Sequence, residues 1–369
     1  MSYYIPINES YLKRAGAQFS TPFVGTPSDR VPVDPLIFSA SARLFNRTIR
    51  EFWEGDPAEA ITMVAHACEF YDITPIAHYL YGSYWAEDYG AKLKYMETMP
   101  PIVVDYPIKE PADVDRFEPM DPKELSKGPT LTKHFRAFDH ILKNYTPMFA
   151  PVSFFNGATD IASGLVGVEK FLLWIMKQPS ICHKLLKKIA DHMVNGNIAV
   201  RDKYGAVVMV VGSVTANSEI LSPKQVKEFN FNYVYDAVKR SLKVGAGPGV
   251  YYHLCGDHSL DWQIWKEAVM SPFTVMQIGY EGKGKPFPAK KLKEEFGNKC
   301  TIYGCIDSLV LGQRSPAEVY EQGKQQIIDG KDSPRGFIVG NACEMPPTTP
   351  PANLHALVRA AEDFGKLPP

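Results

Sequence analysis

The residue types best suited to chemistry are an imidazole and a thiol two positions apart, in Tyr251-Tyr252-His253-Leu254-Cys255-Gly256-Asp257. Gly249 to Cys255 reads as a β-strand, because it is short, rich in Tyr and Val, and bounded by glycines. Side chains alternate along a strand, so Tyr251, His253 and Cys255 share a face. A His-x-Cys pair at a strand end is half a metal site, and it is also what a packed thiol beside a hydrogen-bonded imidazole looks like. A second thiol, Cys343, ends the run Gly336–Cys343. Alternation gives Phe337, Val339, Asn341 and Cys343 a common face. With that face turned inward, Cys343 points across toward His253 and Cys255. Two thiolates and one imidazole suit Zn²⁺, neutralise its charge and leave a fourth position for a substrate or a labile ligand.

Positioning these groups requires a scaffold. Eight runs have strand length and composition: Arg30–Phe38, Tyr71–Ala77, Pro147–Phe155, Ala206–Gly212, Gly249–Cys255, Phe273–Gly279, Cys300–Ile306 and Gly336–Cys343. Helical patterns separate them. The clearest is Ser222–Val244, with an apolar stripe through Val226, Phe229, Tyr233, Val234, Ala237 and Leu242. Ser222 as N-cap, Pro223 at the first position and Gln225 reaching back mark its start. Asp56-Pro57-Ala58-Glu59, Ser315-Pro316-Ala317-Glu318 and, without the acid, Thr349-Pro350 repeat that punctuation. This alternation predicts an α/β fold, a (β/α)8 TIM barrel forming one domain over 1–369, with a doubly wound open sheet as the alternative. Residues 1–29 form an N-terminal extension expected to plug or cover the barrel. Residues 78–146 carry Tyr79, Tyr81, Tyr84, Trp85 and Tyr89, then a Pro- and Asp-rich run. They read as a helical insertion after strand two that walls the active site.

Composition narrows the function. With 369 residues, 45% of them apolar, the chain can bury a large core. A net charge of −1 without a basic run argues against a nucleic-acid partner. No apolar run approaches the roughly 20 residues that span a bilayer. The first residues lack the charged-then-apolar pattern of a secretion signal, so a cytoplasmic location is expected. Cys68, Cys182, Cys300 and Cys305, with Cys255 and Cys343, are sparse for this length and are expected as thiols.

Several motifs together resemble the uroporphyrinogen decarboxylase superfamily, in its branch of zinc-dependent, corrinoid-linked methyltransferases. They are Asp29-Arg30-Val31-Pro32-Val33, Leu221-Ser222-Pro223, His253-x-Cys255-Gly256-Asp257, Gly304-x-Ile306-Asp307, Gly340-Asn341-x-Cys343-Glu344-x-Pro346 and Thr349-Pro350-x-x-Asn353. The resemblance implies a uroporphyrinogen decarboxylase-like barrel, with zinc on His253, Cys255 and Cys343. It also implies a corrinoid, or cobalamin, supplied by a partner protein. The decarboxylases hold substrate carboxylates with an arginine-rich signature. Here the matching region has only Arg30, Arg43, Arg47 and Arg50, without that signature. The chain departs from its relatives at Asp257 (often Asn), at Cys305 and Ser308 (usually Asn and Pro), and at Ser213 (usually Asp), which bears on substrate identity.

Two directions of methyl transfer follow from the resemblance. In one, an O-demethylase passes the methyl of a methoxylated aromatic to cobalt. In the other, methyl-cobalt gives its methyl to a thiol such as coenzyme M. Aromatics near strand ends (Phe154, Phe155, Tyr251, Tyr252, Tyr280 and Tyr303) favour an aromatic substrate. Catalytic roles are expected for Asn156, Glu219 and Asp307, and substrate contacts for Tyr251, Gln277, Tyr280 and Phe155, with Asn217 nearby. Glu344 is a candidate fourth metal ligand, Cys305 a rival thiol, and Asp257 a turn cap or a support for His253. The alternatives are a metal-free lyase acting on a carboxylated substrate, and a structural zinc or binding module. The state of oligomerisation is left open.

Overall fold

The computed structural model describes residues 6–24, 28–74, 79–83, 85–282 and 284–367. Its strands are β1 (Val33–Asp34), β2 (Lys92–Lys94), β3 (Ile102–Asp105), β4 (Ser153–Asn156), β5 (Met209–Ser213), β6 (Val250–Asp257), β7 (Val275–Gly282), β8 (Lys285–Pro286), β9 (Thr301–Ile306) and β10 (Phe337–Asn341). Seven form one parallel row in the order β1-β10-β9-β7-β6-β5-β4, with β8 added antiparallel to β7. Parallel strands covered on both faces read as continuous apolar runs, and β5 and β9 are buried along their whole length. The sheet curls as a TIM barrel does, with helices between successive strands of the parallel row, reduced to a single 3-10 stretch, Trp262–Glu267, between β6 and β7.

The expected second strand, Tyr71–Ala77, is not one among the described residues. Tyr71 closes the helix Pro57–Tyr71, and Asp72 caps it in the left-handed region at φ 54°. Thr74 N–H then donates to Val33 O at 2.7 Å, a first rung beside β1. Residues 75–77 lie outside the described residues. Three of the four expected helix starts behave as their sequences dictate: Asp56, Ser222 and Ser315 cap, and Gln225 and Glu318 complete the reciprocal pairs, whereas the helix Pro351–Phe364 has Pro350 at its N-cap and no side-chain cap from Thr349. The helix from Pro223 to Lys243 contains a π-turn at Lys227–Phe231. That turn carries the buried Asn230, which accepts from Thr159 N and donates to Ser213 Oγ at the end of β5, both at 3.1 Å.

The helix Glu9–Val24 sits at the N-terminal end of the strands. Its Phe19 borders an apolar cavity with Val152, Val208 and Pro248, the residues just ahead of β4, β5 and β6. Residues 79–146 hold helices, as expected, but also the antiparallel hairpin β2–β3. Tyr84 lies outside the described residues. No helix among the described residues is long and apolar enough to cross a membrane.

Candidate metal centre and its cavity

Tyr251, His253 and Cys255 face inward from β6 and line a cavity of about 220 Å³ beyond the carboxyl ends of the strands. Cys343 joins them by a different route from the alternation expected of its strand. Phe337 points outward, its ring packed against Gly330 of the helix Pro316–Gly330. Gly340 faces inward instead, where a Cβ would collide with Asp34 O and the Tyr303 ring, so only glycine fits there. β10 stops at Asn341, and the bend at 342–344 turns Cys343 into the mouth.

The ligand-type atoms of His253, Cys255 and Cys343 lie within 4.8 Å of one another, the single such cluster among the described residues. Cys255 Sγ donates to Cys343 Sγ across 3.1 Å. That contact, with His253 beside it, holds the Cys343 thiol well below its ordinary range, and the same contact pushes Cys255 up. Burial opposes charge on His253, but its contacts with Cys343 and Gln277 outweigh burial and push it up. The contact therefore favours negative charge on the Cys343 sulfur, with Cys255 keeping its proton to donate. Two sulfurs and a nitrogen converging there fit Zn²⁺, with His253, Cys255 and Cys343 as the holders.

Glu344 adjoins the cluster and lines the same cavity. It accepts from Ser39 Oγ at 2.5 Å and Ser39 N at 3.2 Å, and burial pushes its carboxyl up to about 7. Opposite, Asn156 ends β4 in the same register row as His253 (Asn156↔Gly212↔His253). It is 5% exposed, and its Oδ1 has no hydrogen-bond partner. The wall is otherwise apolar, built from Phe38, Trp53, Leu80, Pro100, Phe154 and Val214 among others.

A family model described as uroporphyrinogen decarboxylase (URO-D) matches residues 19–364. The chain belongs to the URO-D family. Its URO-D relatives include a methylated-thiol–coenzyme M methyltransferase of Methanosarcina mazei, 25% identical over 75% of this chain and 69% of the relative. The methylcobamide:CoM methyltransferase MtaA of Methanosarcina barkeri is 23% identical over 56% of each chain, so this match spans little more than half of that relative. A uroporphyrinogen decarboxylase of Magnetococcus marinus is 23% identical over 71% of each. A solved methyltransferase structure from Methanosarcina mazei superposes with a TM-score of 0.75 at 18% identity, covering 95% of this chain and 99% of its own, which shows the shared fold.

Within this URO-D barrel, Asn156, Tyr251, His253, Cys255 and Cys343 meet at one cavity. Seven other residues expected at or beside the site do not line it. Phe155 is stacked on Trp85 at 4.8 Å, away from the cavity. Glu219 is exposed on the loop after β5. Asp307 caps the helix Ser308–Gln313 and accepts from Tyr280 Oη at 3.1 Å, which occupies both of those residues. Gln277 is fully buried beneath His253. Cys305, also fully buried, lies behind Gln277 and outside the thiol–imidazole cluster. Asp257 caps its own turn by accepting from Ser259 N at 2.7 Å. Sequence reasoning missed Trp53, Leu80 and Pro100. They lie far from the cysteines in sequence, in segments without strand or ligand patterning.

Proposed function

We propose that this chain is a zinc-dependent methyltransferase that moves a methyl group between a small molecule and the cobalt of a separate corrinoid protein. The methyl donor that fits best is an uncharged methoxylated aromatic. The observation that carries this reading is the convergence of His253, Cys255 and Cys343 on an apolar cavity containing one unpartnered amide oxygen. The names of the URO-D relatives, two of which cite methyl transfer involving coenzyme M, support the reaction class.

A bound Zn²⁺ supplies Lewis acidity toward the departing oxygen. The remaining work falls to the chain itself. Trp53, Phe38 and Phe154 line the cavity, where their apolar bulk would hold an aromatic body and exclude water. Asn156 Oδ1 takes an O–H or N–H donor of the substrate and so fixes its orientation. A corrinoid at the mouth would accept the methyl, its Co(I) supplying the electron pair of the new Co–C bond and becoming Co(III), while the aryl oxygen kept the pair of the broken C–O bond. The corrinoid reaches the methyl through the mouth at the carboxyl ends of the strands.

The relatives' names favour a second direction, from methyl-cobalt to a thiol such as coenzyme M. That thiol carries an anionic sulfonate. The described lining offers the acid Glu344 and no lysine or arginine, so an anion meets repulsion and a desolvation cost there. The same wall disfavours the carboxylated substrate of a metal-free lyase. The deciding experiment is an anaerobic assay with a Co(I) corrinoid protein and a panel of methoxylated aromatics and thiols, read as cobalt methylation and demethylation. Methylation of cobalt by neutral methoxyarenes is expected. No transfer across the panel overturns the reading, and transfer confined to thiols replaces it with the second direction.

A further inference from the structure

Gln277 lies in β7 directly beside His253 in the ladder with β6, and it is fully buried. Its amide meets four groups. Tyr251 Oη donates to Oε1 at 2.5 Å, and His253 Nδ1 contacts the same oxygen. Nε2 reaches Asn341 O at 2.9 Å and Cys305 Sγ at 3.5 Å.

The orientation of this amide is fixed by one group that has no choice. The Asn341 main-chain carbonyl can only accept a hydrogen bond, so the amide nitrogen of Gln277 must face it. The amide oxygen must then face His253, and it too can only accept. Nδ1 of His253 therefore carries the hydrogen, and in the neutral ring the lone pair falls on Nε2. The same amide reaches the other arm of the cluster. Asn341, held by Gln277 through its carbonyl, donates from its own Nδ2 to Cys343 O at 2.6 Å. One buried side chain thus links the ring of His253 to the bend that presents Cys343.

We infer that Gln277 is a positioning residue that locks His253 in its Nδ1–H tautomer and leaves Nε2 bare for the cation gripped with Cys255 and Cys343. The inference rests on the zinc reading of the site and adds a residue that never touches substrate. Partners that hold the far nitrogen of a metal-bound histidine commonly contribute about 10- to 100-fold in metal affinity. The competing role is that of a satisfied core amide whose loss merely loosens the barrel.

Two substitutions separate these roles. Gln277→Met keeps the length and bulk of the side chain but removes the acceptor for Nδ1–H. Gln277→Glu keeps the acceptor and removes the donor to Asn341. Zinc affinity is measured by chelator competition on the full chain, together with ¹⁵N NMR of histidine-labelled protein and a urea unfolding curve. For Gln277→Met, zinc affinity is expected to fall about 10- to 100-fold, with the His253 signals showing mixed tautomers. Gln277→Glu is expected to stay within about threefold of the wild type, because the acceptor at Nδ1 is what counts. Equal zinc affinity and an unchanged tautomer in Gln277→Met overturn the inference while leaving the metal site intact. Wild-type protein that takes up no zinc overturns the metal reading, and the inference with it. If Gln277→Met fails to fold, the wild-type spectrum decides: an Nε2–H signal for His253 in the metal-free protein overturns the lock.

Discussion

Phe154 and Phe155 are neighbours in β4 and face opposite sides of it: Phe154 lines the cavity, while Phe155 stacks on Trp85 with centroids 4.8 Å apart and planes 2° from parallel. The two therefore separate substrate contact from packing. Phe155→Ala should cost about 3–5 kcal/mol of stability by urea unfolding, with little change in KM for the protein that remains folded. Phe154→Ala should do the reverse, raising KM for an aromatic methyl donor and leaving the unfolding midpoint nearly fixed.

Asn156 carries a buried amide oxygen with no partner, an arrangement that costs stability in the resting protein. Asn156→Leu should accordingly raise stability by about 1 kcal/mol while lowering kcat/KM by about tenfold or more. Unfolding curves and steady-state kinetics on one preparation test both halves. A variant that is less stable and equally active would remove Asn156 from the substrate site.

Cys343 supplies one of three converging ligand atoms but no barrel packing, since β10 has already ended at Asn341. Cys343→Ala should lower bound zinc from about one per chain to near zero and abolish methyl transfer. Its far-UV circular dichroism should match the wild type. Metal analysis after dialysis gives the count, and full zinc occupancy in the variant would show the ligand set to be wrong.

His134 and His192 are fully buried, and burial pushes both imidazoles down to about 3, well below the ordinary 6.5. Both are neutral in the folded protein at pH 7. Below pH 6.5 the unfolded chain takes up protons that the folded chain refuses, so stability is complete above 6.5 and falls as the pH drops toward 3. At pH 5 each group should cost about 2 kcal/mol. Urea midpoints measured from pH 8 to pH 5 should show the decline, and His134→Gln with His192→Phe should flatten it.

Lys188 fastens the inserted segment to the long helix Pro179–Tyr204. Its Nζ donates to the carbonyls of Val114, Asp115 and Phe117 and to Glu118 Oε1, at 2.5–3.3 Å. Lys188→Met keeps the apolar stem and strands these acceptors, which should cost about 1–3 kcal/mol. Because Pro100 and Pro101 of that segment line the cavity, KM should rise as well. Faster proteolytic cleavage between 92 and 125 would report the loosened segment directly.

The thiol–imidazole cluster was legible because each of its residues lies in a short run whose residue types serve no other obvious purpose, as in His253-Leu254-Cys255. The scaffold was legible from the apolar runs at β5, β6 and β9 and from caps such as Ser222 and Ser315, where local rules decide alone. The region Tyr71–Ala77 was not, because its apolar run straddles a helix end and periodicity cannot mark the boundary at Asp72. The route of Cys343 into the mouth depends on a bend after Asn341, and alternation holds only while the strand lasts. Asp307 and Tyr280 have the chemistry of a site but satisfy each other, which only their proximity reveals. The cavity wall was hidden for the same reason: Trp53 and Pro100 meet the cysteines only after the chain has folded.

The segments that furnish Trp53, Leu80 and Pro100 hold none of the three residues of the thiol–imidazole cluster. One part of the cavity wall is thus written apart from the thiol–imidazole cluster, while Phe154 and Asn156 complete it from β4. Descendants could exchange the molecule they accept by rewriting residues 36–101 while inheriting the sulfur–nitrogen claw untouched, and chimeras between paralogues, spliced ahead of β4, offer a practical way to redirect such an enzyme.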